Sequence, residues 1–144
     1  MINPAFLKEL DIFLDQYYEQ SKKTGRYLSI CFPGKGGKNQ VRNFENIVYT
    51  ARRISAIQNF IKNQMGKESS ERQTWTKIPS ESTMSMGDFL LFQLEELIQK
   101  AKSLSENDLG LNMEFGLYLA RIWAKQVASE YLYQIIRGGA DGKD

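Results

Sequence analysis

Apolar residues recur at spacings of three and four through most of the chain, which predicts amphipathic helices. Between about Pro4 and Ser21 they are Phe6, Leu7, Leu10, Phe13, Leu14, Tyr17 and Tyr18. Asn3 supplies an N-cap and Pro4 a pre-organised first turn. RYLSICF at 26–32 reads as a short strand or an extended linker, and PGKGGKN at 33–39 breaks regular structure with three glycines in four residues. From Lys38 to Gln64 the pattern predicts one unbroken helix of about seven turns, ended by Gly66. Val41, Phe44, Ile47, Val48, Ala51, Ile54, Ile57 and Ile61 share one broad arc of it; Lys38, Arg42, Glu45, Tyr49, Arg52 and Arg53 fall within about 100° on the opposite side. Lys67 to Gly87 has little periodicity and predicts a long surface loop from which Trp75 and Ile78 tuck onto the body. Ser85 with Asp88 forms a capping box opening a helix to Leu104. That helix carries Phe89, Leu90, Leu91, Phe92, Leu94, Leu97 and Ile98, apolar almost all round at its start, and is expected to be the central buried element. SENDLGLN at 105–112 reads as a turn, and the last helix runs from about Met113 to Arg137. Its inner face is Phe115, Leu119, Ile122, Trp123, Val127, Tyr131 and Ile135. The expected fold is all-α: a compact bundle of four to six helices in one domain over 1–144, with room for one short extended segment near 26–32. The closing GGADGKD has no assignable role.

Composition narrows the function classes. Apolar residues at 42% and charged residues at 25% describe a globular chain. No apolar run approaches the roughly 20 residues of a membrane span. The opening MINPAFLKEL sets charges where a secretion signal needs a bare apolar stretch, so a cytoplasmic location without membrane association is expected. Cys31, the one cysteine, stands among apolar residues and reads as a buried thiol. The chain has no histidine, which removes the commonest general base and the commonest transition-metal ligand. No catalytic residue, cofactor or metal is expected, and the protein is not read as an enzyme.

Charge changes the picture more than composition does. Nine Lys and Arg and a single acid, Glu45, lie between Lys22 and Lys62, a formal +8 within a chain of only +2. Segregated charge of this kind meets phosphate or an acidic partner, unless compensating acids sit nearby in the fold. The glycine run is not a nucleoside-triphosphate loop: that motif needs Gly-Lys-Ser/Thr at 39–41, where Asn39, Gln40 and Val41 stand. It either holds a backbone phosphate or is an ordinary mobile connection. On the helix 38–64 the cations form a stripe about 20 Å long with Tyr49 in its middle. Arginine favours phosphate there through its planar fork of donors, and Glu45 is placed to pair with Arg42, Tyr49 or Arg52. The same stripe also reads as the plain exposed face of a core helix. A phosphate track along it requires Lys38, Arg42, Arg52 and Arg53 to project together from one rod.

The run KNQVRNFENIVYTARRI at 38–54 resembles the signature of the small subunit of type III-A (Csm-type) CRISPR effector complexes. Val41-Arg42-Asn43-Phe44 takes that family's hydrophobic-Arg-Asn/Lys-hydrophobic step, and Ile47, Val48 and Ile54 continue its apolar side. LYLARIWAKQVASEYLYQII at 117–136 is similar to the family's closing helix, and as similar to that of the Cmr-type small subunit. Gly37-Lys38-Asn39 replaces the Thr-Thr-Ser usual at the cap. The resemblance implies a non-catalytic helical subunit that lines a ribonucleoprotein filament in antiviral defence. It implies contacts with guide and target RNA backbone, with other effector subunits and with further copies of itself. Lys38, Arg42, Arg52 and Arg53, joined by Tyr49 and by Lys35 and Arg26, would be the RNA-binding residues. A DNA-binding regulator and a helical adaptor for an acidic protein partner are the alternatives.

Overall fold

The computed structural model describes residues 2–138, so the GGADGKD tail lies outside them apart from Gly138. Six helices follow one another: α1 Pro4–Gln16, α2 Tyr18–Cys31, α3 Gly34–Thr50, α4 Ile54–Gly66, α5 Met86–Ser105 and α6 Leu109–Arg137. The all-α bundle expected from periodicity is present. Its start follows the chemistry read from the sequence: the Asn3 side chain accepts the Ala5 N–H at 2.8 Å.

Several boundaries differ from expectation. The first segment breaks at Tyr17, where the phenol is turned inward and donates to Glu96 at 2.5 Å. Residues 26–32 are not extended: α2 carries helix through Cys31, because its buried positions Ser21, Thr24, Leu28 and Cys31 repeat at helical spacing although two are polar. The third difference divides 38–64 into α3 and α4, with Ala51 and Arg53 both extended (ψ 139° and 142°).

The hub is α6 rather than α5, since it packs against every other helix. Residues spaced around it are buried, among them Phe115, Leu119, Ala120, Trp123, Ala124, Val127, Ala128, Tyr131 and Ile135. The small ones let neighbouring backbones approach on several sides. By contrast α5 is covered on one side only and leaves Phe92 exposed. A buried polar junction locks α2, α5 and α6 together. The Thr24 hydroxyl and the Trp123 indole N–H (2.9 Å) both donate to Gln93 Oε1, and Gln93 Nε2 donates to the Gln20 carbonyl at 3.1 Å. Every polar atom of that amide is satisfied, which fixes the register of three helices.

The 67–85 connection has one organising group. The Glu68 carboxylate accepts the backbone N–H of Thr74 (3.0 Å), Trp75 (3.1 Å) and Thr76 (2.8 Å), and the hydroxyls of Thr74 and Thr76. Trp75 is thereby seated in the core, while Ile78, expected to tuck in beside it, is 56% exposed. Burial pushes the Glu68 carboxyl up, but the Thr74 hydroxyl and the three backbone N–H donors outweigh it and hold the group below its ordinary 4.5. A carboxylate lowered by folding adds stability that is complete above that ordinary value and is lost as pH falls through the folded value. Glu68→Gln should therefore cost about 1–2 kcal/mol at pH 7. Melting followed by circular dichroism at pH 7, 4 and 3 should show that gap closing with acid. A gap independent of pH would remove the carboxylate from this role.

Candidate nucleic-acid interface

The corner between α2 and α3 decides where the cations stand. Gly34 has φ 73°, a left-handed conformation that suits glycine. At Gly37 a Cβ would lie 2.1 Å from the Phe32 carbonyl oxygen, so only glycine fits against the end of α2. Tyr131 of α6 closes the corner by donating its hydroxyl to that same carbonyl at 2.5 Å. The glycine run, read from the sequence as a break or mobile connection, is instead the tight first turn of α3.

Starting α3 at Gly34 brings Lys35 into register. Lys35, Lys38, Arg42, Glu45 and Tyr49 follow one another at spacings of three and four, a single row about 21 Å long. The buried row is Gly34, Gly37, Val41, Phe44 and Val48, one residue earlier at each step. The basic row therefore lies about 100° round the helix from the core, on its flank. The fully outward row is neutral and polar: Asn39, Asn43, Asn46 and Thr50. Lys38 and Glu45 are half-buried, Lys35 and Arg42 are exposed, and Tyr49 is 70% exposed. Pro33 gives the N-terminus of α3 no side-chain cap, so the positive end of the helix dipole adds to Lys35 and Lys38.

The single rod required for a phosphate track over Lys38, Arg42, Arg52 and Arg53 does not exist, so that four-cation track is overturned and only its α3 part stands in one row. A continuing helix would have the Ser55 N–H donate to the Ala51 carbonyl; here Arg121 of α6 donates Nη2 to it at 3.0 Å. Breaking there lets α3 lie on α6 while α4 turns its buried Ile57 and Ile61 toward α5. Arg52 and Arg53 remain exposed, projecting from an extended corner beside Ala56 and Met113. Arg26 also leaves the row: it sits on α2 and lines a groove with Lys125, Glu130 and Arg137 of α6. So Lys35, Lys38, Arg42 and Tyr49 are brought together, Arg52 and Arg53 form a second cluster, and Arg26 belongs to a third.

Lys22 forms an ion pair with Glu19 at 3.5 Å, away from α3. Glu45 pairs with neither Arg42 nor Arg52, and no described carboxylate neutralises the α3 row. Cys31 is buried, and burial pushes its thiol up to about 11, so it offers no nucleophile at neutral pH. Among the described residues no group of three or more Cys, Asp or Glu gathers as for a metal ion, and no helix is long and apolar enough to cross a membrane. Lys22, Lys125 and Arg137 are cations of a shared groove that the sequence did not single out, because only the fold sets α2 against α6. The chain matches no protein-family model, no curated protein and no solved structure, so a functional reading rests on these residues themselves.

Proposed function

We propose that the protein is a non-catalytic, RNA-contacting small subunit of a type III CRISPR ribonucleoprotein effector, acting in the cytoplasm beside other subunits and further copies of itself. The observation that carries this reading is the α3 row of Lys35, Lys38 and Arg42, unpaired with any described carboxylate, with Tyr49 at its end. The likeness of residues 38–54 and 117–136 to the Csm-type small subunit supplies the assembly, and the Cmr-type subunit stays the near alternative. Three cations along about 10 Å of α3, with Tyr49 about 10 Å further on, match neighbouring phosphates of a strand without reading its bases. Such contacts suit a machine whose specificity comes from guide pairing. Arg52 and Arg53 add a second point of backbone contact at the corner.

Filter binding to a 35-nucleotide RNA between 50 and 300 mM salt tests this. The triple variant K35A/K38A/R42A should flatten the slope of log affinity against log salt by about 2–3 units. An unchanged slope in a folded variant would remove α3 from the interface.

The three-residue turn at 51–53 also favours a second reading, a DNA-binding regulator. Two helices joined by so short a turn have the connectivity of a helix–turn–helix, with α4 as the recognition element. Exposed on α4 are Ser55, Asn59, Lys62 and Asn63, polar but with one cation, where α3 carries three. Duplex DNA in the same titration separates the readings. A duplex preference lost in N59A/N63A would select the regulator.

A further inference from the structure

A groove of about 790 Å³ lies between α2 and α6 and takes no part in the α3 row. The two helices cross closely where Gly25 faces Val127 and Glu130, and the groove opens beside that crossing. Four cations line it, Lys22, Arg26, Lys125 and Arg137, against one acid, Glu130. The acid is already engaged, accepting from Gln134 Nε2 at 2.6 Å, and Lys22 is held by Glu19. The Arg26 guanidinium and the Lys125 ammonium have no described hydrogen bond or ion pair, and they line the groove from α2 and from α6.

Aromatic surface completes the site. Tyr18 and Tyr133 line the same groove, and each carries a cation over its ring: Lys22 at 5.3 Å and Arg137 at 5.5 Å from the centroids. Both rings are exposed, so a planar group can lie against the remaining face. Gln126, also in the lining, has its Oε1 buried without a hydrogen-bond partner, and a turn of its amide would offer it to a donor in the groove. Free cations, aromatic faces and an unsatisfied amide in one groove recognise a phosphate joined to a flat, hydrogen-bonding ring.

We propose that this groove is a nucleotide subsite, in which Arg26 and Lys125 hold one phosphate and Tyr133 stacks on the base. It goes beyond the RNA-backbone reading of α3 and uses different residues, so either can fail alone. The nucleotide is either free or part of an RNA strand, and the two sources are separable. Isothermal titration of the full chain with AMP, adenosine, inorganic phosphate and an eight-nucleotide RNA measures them. AMP or the octamer should bind more tightly than adenosine or phosphate alone. R26Q/K125Q should weaken that binding about tenfold or more, since two charge-assisted contacts are lost. K38A/R42A should leave AMP binding unchanged, and Y133A should weaken AMP binding without affecting phosphate. Saturation by AMP identifies a free nucleotide; an octamer that binds where AMP does not identifies a strand. Two results overturn the proposal: binding unaltered in a folded R26Q/K125Q protein, or octamer binding lost equally in both sets of variants with no AMP binding, which reduces the groove to general positive surface.

Discussion

Trp75→Ala lowers the unfolding free energy by about 3–5 kcal/mol, the range for emptying a large buried aromatic site. Its indole is 2% exposed although it belongs to a loop without regular structure. Phe32 at the end of α2 meets it edge-on at 5.0 Å, Phe44 of α3 at 6.0 Å and Phe60 of α4 at 5.8 Å. The indole N–H donates to Gln40 Oε1 of α3 at 2.9 Å. One side chain thus joins three helices that make few contacts with one another. Removing it takes away edge-to-face pairs worth about 0.5–1.5 kcal/mol each beyond the area they bury. It also unseats the amide that helps hold Glu68. Urea unfolding should show a lower midpoint with an unchanged slope, which marks lost stability rather than an altered denatured state. Hydrogen exchange should report the earliest opening at the ends of α3 and α4 that face the indole. A loss under about 1 kcal/mol would mean that the loop merely rests on the bundle.

Helices whose buried faces are apolar were legible along the chain. Asn3 and Pro4 open α1, and Ser85 accepts the Asp88 N–H at 3.3 Å to open α5, both as their residue types predict. The last helix begins four residues before Met113 because Asp108 caps it, accepting the Leu111 N–H at 3.0 Å. That cap could have been recognised, since aspartate is a preferred N-cap residue. The α2 helix was harder, for its inner face includes Ser21, Thr24 and Gly25, which no hydrophobic pattern counts. Nothing local announces the break at Ala51. The run YTARRIS contains neither glycine nor proline, and the donor that replaces the helical N–H comes from Arg121, seventy positions away. The same limit divides the candidate sites. The order of Lys35, Lys38, Arg42 and Tyr49 is a property of one helix and follows from spacing alone. Arg26 with Lys125 is a property of α2 lying on α6, and no periodicity contains it.

Gly37→Ala should cost about 3 kcal/mol, the upper end for overpacking, because the colliding atoms are backbone and cannot turn away. The added Cβ would stand 2.1 Å from the Phe32 oxygen and 2.3 Å from its carbonyl carbon. Relief requires the first turn of α3 to move off α2, which strains the bond from Tyr131 to that oxygen. Gly36, one residue earlier, meets nothing within 4 Å of the same added atom. Gly36→Ala therefore keeps the fold and gains up to about 1 kcal/mol from helix propensity. Adjacent glycines with the same chemistry thus predict opposite signs, and thermal melts of the two variants measure the difference directly. The consequence reaches the α3 row. Once the first turn is displaced, Lys35 no longer stands above Lys38, and Gly37→Ala should lose about one unit of RNA salt slope. Gly36→Ala should keep the slope of the parent protein. A Gly37→Ala protein as stable as the parent would show that α3 does not begin in a closed corner, and the register that places Lys35 beside Lys38 and Arg42 would go with it.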